Sequence, residues 1–249
     1  MRYAIYFAAD ADAPLMQLGN TWLGRDPFTG SRLQQPPIPG LDPARFEDLT
    51  TSPRRYGFHG TLKAPFSLAK EATEDTLIAA CARFAETVAP FELQGLGVNQ
   101  LGKFLALTPA QAEPDLEAFA SLSVRKFEPF RAPLSAEDLD RRRQAKLTPK
   151  QDAYVETWGY PYVFDEFRFH MTLSNMMEDN EEAALLAQSA ETHFEAVTKS
   201  ALTCRHFGLY VEPERGAAFD VHRIFELTGP QSPITALKNT LANSNEEVS

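Results

Sequence analysis

The sequence predicts an α+β fold, duplicated and two-lobed, with antiparallel sheets lining a central cleft and helices outside. Three observations carry this expectation. The word Phe58-His59-Gly60-Thr61-Leu62 returns as Phe169-His170-Met171-Thr172-Leu173. Two landmarks then follow each copy in the same order: GLGV from Gly95 and LALT from Leu105 after the first, GLYV from Gly208 and FELT from Phe225 after the second. Between these landmarks, segments of helical periodicity alternate with short aromatic and β-branched runs. A unit this long that occurs only twice reads as a duplicated lobe rather than a solenoid repeat, each lobe an antiparallel sheet backed by helices. We therefore expect one bilobal domain over residues 1–237, with copy one at about 54–109 and copy two at about 165–228. A helical excursion at 131–159 interrupts the pattern, and a polar tail at 238–249 is expected to fray.

Taken in order, Arg2 to Ala8 (RYAIYFA) reads as a strand and Leu15 to Leu23 as a helical turn or two. The stretch from Asp12 to Pro53 is rich in Pro and Gly and reads as a long irregular connection. After the first repeated word, Thr73 caps a helix that runs through TEDTLIAACARFAETV. FELQGLGV and KFLALTP read as strands joined by a turn at Gly102, followed by a helix from about Glu113 to Phe127. In the excursion, Ser135 caps one helix and Thr148-Pro149 starts another.

Composition narrows the function classes. The chain has 249 residues, 43% hydrophobic and 23% charged, which is ordinary for a globular protein. A formal net charge of -10 argues against an extended grip on duplex nucleic acid, which needs many Lys and Arg contacts to phosphate. A small anion remains compatible, because a few local cations make a positive pocket in an acidic protein. Cys81 and Cys204, without CxxC spacing, read as two buried thiols in a reducing compartment. The opening apolar run is too short for a signal peptide and no stretch has the length of a membrane span, so a cytoplasmic protein is expected.

Strand alternation gives the repeated word its chemistry. His59 and Thr61 share one face, and Phe58, Gly60 and Leu62 the other; His170 and Thr172 oppose Phe169, Met171 and Leu173 in the same way. Duplication then brings two imidazoles and two hydroxyls to one cleft. One neutral imidazole takes a proton from water or a hydroxyl while the other, protonated, gives one to a leaving oxygen. Threonine hydroxyls hold the oxygens of a phosphoryl group as charge builds on them. Such a set needs no metal ion and no cofactor. A lone strand histidine is more often a packed or surface residue, but two in one frame, at matching points of a repeat, reverse that balance.

His59-Gly60-Thr61-Leu62 and His170-Met171-Thr172-Leu173 resemble the paired H-x-T/S motifs of the 2H phosphoesterase superfamily, and neither departs from the pattern. The resemblance covers most of the chain. It implies a bilobal duplicated fold, metal-independent opening or formation of cyclic phosphodiesters, and catalysis by His59, Thr61, His170 and Thr172. A narrower likeness, in RYAIYFA, TWLGRDPFTG and RRYGFHGTLKAPF, is to an uncharacterised bacterial subfamily encoded with phosphonate-degradation genes. It suggests a ribosyl cyclic phosphate from carbon–phosphorus bond breakdown as substrate.

Around the motifs, alternation puts Lys63 on the face of His59 and Thr61, and Arg55 in phase if the strand starts early. Either could face phosphate, against a solvated or ion-paired role. Tyr3 and Tyr6 lie on opposite faces of the first strand, and Tyr210 stands where copy one has Gly97; each is a candidate ligand contact or a core residue. Trp22 and Arg25, with Asp26, open the long loop as a candidate substrate lid, against an anchored structural loop. His193, His206 and His222 read as structural or surface residues, and the Asp140 to Arg143 cluster as an exposed, salt-laced helix face.

The sequence offers neither closely spaced zinc ligands nor a G-x-S-x-G elbow. The reading is a monomeric enzyme acting on a small phosphorylated substrate, without membrane attachment. The alternatives are a phosphometabolite-binding or regulatory protein using the same cleft, and an RNA-end 2',3'-cyclic phosphodiesterase or ligase.

Overall fold

The computed structural model describes residues 1–178 and 180–246. The first half of the chain forms β1 (Arg2–Phe7), α1 (Pro14–Leu23), α2 (Pro43–Leu49), α3 (Thr51–Tyr56), β2 (Gly60–Phe66), α4 (Glu74–Ala85), β3 (Phe91–Leu93) and β4 (Leu96–Leu101). The second half forms β5 (Phe104–Pro109), α5 (Pro114–Lys126), α6 (Ala136–Arg143), α7 (Pro149–Trp158), β6 (Met171–Thr172), α8 (Asn180–His193), α9 (Glu195–Thr198), β7 (Leu202–Cys204) and β8 (His206–Glu212). β9 (Asp220–Glu226) and α10 (Pro233–Glu246) close the chain. No helix among the described residues is long and apolar enough to cross a membrane.

Local chemistry fixes the helix starts where expected. The Thr73 hydroxyl accepts the Thr76 N–H at 3.2 Å, and the Thr76 hydroxyl accepts the Thr73 N–H at 3.0 Å, closing a capping box on α4. Ser135 caps α6 through the Asp138 N–H, and Thr148 caps α7 through the Gln151 N–H. The stretch expected to be irregular is partly helical: Asp42 caps α2 ahead of Pro43 at its first turn. Most of the polar stretch from 238 belongs to α10, which runs to Glu246; residues 247–249 lie outside the described residues.

Seven strands form one antiparallel sheet in the order β4-β5-β6-β2-β1-β8-β9, and β3 pairs with β7 in a two-stranded sheet. Read outward from the centre, β2-β1-β8 on one side mirrors β6-β5-β4 on the other. β1 therefore matches β5, β2 matches β6, and β4 matches β8. The expected match of LALT with FELT is corrected by this order, since β5 lies inside the sheet beside β6 and β9 lies at its edge. The helices follow the same symmetry: α1 and α5 precede the motif strands, α4 and α8 follow them, and the excursion α6–α7 occupies the chain position of α2–α3. Each half-sheet also borrows a strand: β4 of the first half lies beside β5, and β8 of the second beside β1.

The halves meet where β2 pairs with β6, at the single bridge Gly60↔Met171. α5 packs on β2, α8 on β4 and α4 on β9. The apolar members of the two motifs fill that side: Phe58, Met171 and Leu173 are fully buried, and Leu62 and Phe169 nearly so. Burial of such side chains contributes about 1.5–3 kcal/mol each.

Gly60 is forced by this packing, because a Cβ there would lie 2.4 Å from Cε2 of Phe169. We expect Gly60→Ala to lower unfolding stability by about 1–3 kcal/mol through overpacking. Adding Phe169→Leu should recover part of that loss in chemical denaturation. Strictly additive effects of the two substitutions would contradict the close approach.

Candidate active site

The bridge Gly60↔Met171 sets the geometry of the motifs. Continuing its antiparallel register by one residue each way places His59 opposite Thr172 and Thr61 opposite His170. The four side chains form a quadrilateral on one face of the sheet, imidazoles on one diagonal and hydroxyls on the other. Diagonal neighbours in an antiparallel pair stand about 7–8 Å apart, which leaves room for a tetrahedral group between them.

Both imidazoles are held alike. Nδ1–H of His59 donates to the carbonyl of Gly57 at 2.8 Å, and Nδ1–H of His170 donates to the carbonyl of Arg168 at 2.8 Å. A carbonyl can only accept, so Nδ1 carries a proton in both rings and Nε2 is the other ring nitrogen. Nε2 of His59 stands 3.3 Å from Oγ1 of Thr61. Gly57 reaches this pose at φ +74, a left-handed conformation where a Cβ would also meet Pro27 at 2.8 Å.

His59 lies deep in the site. The Tyr6 ring stacks on it at 3.7 Å between centroids, with planes 22° apart, and Tyr56 and Tyr210 stand farther off. Burial pulls the His59 pKa down to about 4; the Gly57 carbonyl works against this and the charge of His170 adds to it. His59 is therefore a neutral imidazole near pH 7, with its Nε2 lone pair turned to the Thr61 hydroxyl. The hydrogen bond of His170 is more exposed; its ring stands beside Phe104 at 5.7 Å and is not among the residues that line the cleft.

The cleft has a volume of about 890 Å³ and is lined by His59, Thr61 and Thr172 together with Tyr6, Tyr56 and Tyr160. Five arginines also line it: Arg2, Arg55, Arg141, Arg142 and Arg215. No acidic side chain among the described residues does so. Behind the arginines, the fully buried Glu212 accepts from Arg2 and Arg55 and from the Gly216 N–H. Burial works to raise the Glu212 carboxyl, but Arg2, Gly216 and Arg55 outweigh it and hold the pKa below its usual value. This ion pair positions two guanidinium groups at the wall.

The structure sorts the other expected contacts. Tyr6 and Arg55 line the cleft, although Arg55 belongs to α3 rather than to an early strand. Lys63 does not line it. β1 pairs Tyr6 with Thr61 but Ile5 with Lys63, so a bulge at Leu62 spends two residues of β2 on one of β1 and turns Lys63 to the helix side. There its ammonium donates to Glu128 at 2.7 Å and to the Val124 carbonyl at 3.0 Å. Tyr3 also faces away and donates to Glu74 at 2.7 Å. Tyr210 is fully buried behind His59, packed on Tyr6 at 4.9 Å.

The expected lid is an anchored loop. Trp22 is buried and its Nε1–H donates to the Leu173 carbonyl at 2.9 Å; Arg25 donates to the Phe219 carbonyl at 2.8 Å and pairs with Asp220. His193, His206 and His222 sit against Leu18, Asp10 and Glu74, outside the cleft. The Asp140 to Arg143 cluster is not a wholly exposed face, because Arg141 and Arg142 reach the cleft. Alternation back from Tyr6 signals Arg2, while Arg215 and Tyr160 come from turns with no local signal. Among the described residues, no group of three or more His, Cys, Asp and Glu could hold a metal ion.

Two outcomes are expected from this geometry. An unfolded His59 has a pKa of 6.5 and the folded one about 4, so the unfolded chain binds the proton more tightly. The stability that His59 contributes is present above pH 6.5 and is lost as pH falls toward 4. Thermal melts of His59→Asn should show a shallower loss than wild type across that window, and parallel curves would contradict the assignment. Lys63→Ala should lower unfolding stability by about 1–3 kcal/mol, since it leaves the Val124 carbonyl without its donor while Arg131 still holds Glu128. A phosphate-contacting lysine would show the reverse, a loss of turnover with little loss of stability.

Residues 61–220 match the family described as a protein of unknown function (DUF1045). A ribose 1,5-bisphosphate phosphokinase PhnN of Janthinobacterium sp. (strain Marseille) is 39% identical over 197 residues, 78% of this chain and 44% of that protein. A protein of the same name from Laribacter hongkongensis (strain HLHK9) is 33% identical over 224 residues, 90% of this chain and 51% of that one. The chain thus spans about half the length of the curated relatives it matches. Among solved structures, TT0787 of Thermus thermophilus is similar with a TM-score of 0.44 and 15% identity, over 93% of this chain and 100% of that one. E. coli LigT complexed with NADP+ is similar with a TM-score of 0.42 and 13% identity, over 91% and 97%. With its match running from Thr61 to Asp220, the chain belongs to the DUF1045 family.

Proposed function

We propose that the protein is a phosphoesterase that opens a cyclic phosphodiester on a small ribosyl or nucleotide substrate, with two histidines as acid and base. One observation carries this reading: two H-x-T pairs meet at one bridge, each with Nδ1 pinned to a carbonyl, which leaves Nε2 as the nitrogen on the motif side, beside Thr61 in the first pair.

His59, neutral at its depth in the cleft, takes a proton from water at Nε2 as the water oxygen bonds to phosphorus. The P–O bond to the ring alcohol breaks, and His170 gives its Nε2 proton to that oxygen. The products are a phosphomonoester and a free hydroxyl, and solvent returns the two imidazoles to their starting forms. Thr61 and Thr172 donate to the non-bridging oxygens from the other diagonal, where charge builds in the transition state. These steps are complete without a metal ion. The assignment of His59 as base follows from its lowered pKa.

The phosphokinase name of the two relatives belongs to proteins about twice the length matched here. Nucleotide-phosphate loops of the G-x-x-x-x-G-K-[ST] type need a strand, a glycine-rich loop and a helix. The nearest approach in this chain runs from Gly97 to Gly102-Lys103 but ends in Phe104, and it forms the hairpin β4–β5. We assign the kinase chemistry to the part of those relatives outside the match. Their name concerns a phosphorylated ribose, which agrees with a ribosyl substrate for this chain.

The test is a panel of 2',3'- and 1,2-cyclic phosphates followed by phosphorus NMR in EDTA. We expect turnover of at least one member, with His59→Ala and His170→Ala each lowering kcat by about a thousandfold. Thr61→Ala and Thr172→Ala should lower it by about ten- to a hundredfold. No turnover of any member would overturn the hydrolase reading for those substrates, and binding without turnover would favour a sensor.

A further inference from the structure

We propose that the cleft contains a second anion subsite, built around Arg142 with Arg2, Arg55, Arg141 and Arg215, which takes a second phosphoryl group of the same substrate. The inference rests on the cyclic phosphodiester reading above and narrows its substrate to one carrying two phosphoryl groups.

The subsite lies away from the histidines. Arg2 is on the cleft face of β1, four residues from Tyr6, which is paired with Thr61. That is about 13 Å along the strand at 3.3 Å per residue. A small recess beside the cleft, lined in part by Arg2, Arg141 and Arg142, includes neither motif histidine nor motif threonine. All five arginines line the same cleft as His59, Thr61 and Thr172.

The charges there are not balanced by protein groups. Glu212 is shared by Arg2 and Arg55, and Asp138 by Arg141 at 2.6 Å and Arg215 at 2.8 Å. Arg142 has no carboxylate partner among the described residues, and its Nε is buried without any hydrogen-bond acceptor. Its guanidinium stacks over the Tyr160 ring, 5.0 Å from the centroid. Burial lowers its pKa; Tyr160 and Tyr56 work against this, while the neighbouring charges of Arg141 and Arg2 add to it.

A buried donor without an acceptor costs stability unless a ligand supplies one. A stacked, planar guanidinium is suited to a phosphate, which it grips through two parallel hydrogen bonds. Five guanidinium groups against two carboxylates leave an excess of positive charge that a dianionic phosphomonoester matches. A single cyclic phosphate, already held between the histidines, would leave this charge unused.

A matched pair of substrates decides it: ribose 1,2-cyclic phosphate with and without a phosphate on carbon 5. Wild-type kcat/KM is expected to be about tenfold or more higher for the doubly phosphorylated member. Arg142→Gln should lose at least about fivefold more on that member than on the other, with Arg142→Lys between. Equal wild-type kcat/KM for the two members, or equal losses in Arg142→Gln, would overturn the subsite and leave the hydrolase reading standing. If neither member is cleaved, that reading fails, and calorimetry with ribose 5-phosphate still reads the subsite. Weaker binding to Arg142→Gln supports it, and equal binding overturns it.

Discussion

The cleft depends on one short piece of backbone pairing, the bridge between Gly60 and Met171. It sets four side chains from distant parts of the chain in one register, His against Thr on each side. A slip of one residue would turn one of the two pairs to the helix face. Two features hold the register. The Phe169 ring fills the space a side chain at position 60 would take, so one motif carries glycine where the other carries methionine. Each half-sheet also contains a strand of the other half, β4 beside β5 and β8 beside β1, so the halves cannot separate without breaking whole ladders.

Electrostatics in the cleft run against those of the whole protein. The formal net charge is -10, yet five arginines and, among the described residues, no carboxylate line the cleft. The acidic partners stand behind the wall: Glu212 is fully buried and fixes Arg2 and Arg55 in place. Low-dielectric walls of Tyr6, Tyr56 and Tyr160 strengthen the field that an entering anion meets. The same surroundings keep His59 neutral, so one set of rings both lowers the imidazole pKa and shapes the field in the cleft.

Much of this was legible in the sequence, and the failures have physical causes. The repeated word and its alternation gave the shared face of His59 with Thr61 and of His170 with Thr172 because the two-residue period holds across the Gly60↔Met171 bridge. Lys63 was misplaced because a bulge at Leu62 breaks the two-residue period, and a bulge leaves no compositional mark. Matching LALT to FELT failed because similar words recur in strands of different sheet position; only the pairing order shows that β5 answers to β1. Trp22 and Arg25 looked like loop residues, but their partners Leu173, Phe219 and Asp220 lie far along the chain. Arg141 and Arg142 read as an exposed charge cluster because nothing local shows that α6 lies over the cleft.

The central claim is that the two H-x-T pairs form one site for a tetrahedral phosphoryl group. A crystal structure of the protein soaked in inorganic phosphate tests it most directly. We expect the anion between the motifs, within hydrogen-bond distance of Nε2 of His59 and His170 and of Oγ1 of Thr61 and Thr172. Phosphate bound by only one motif, or the two Nε2 atoms turned away from a common centre, would contradict the account.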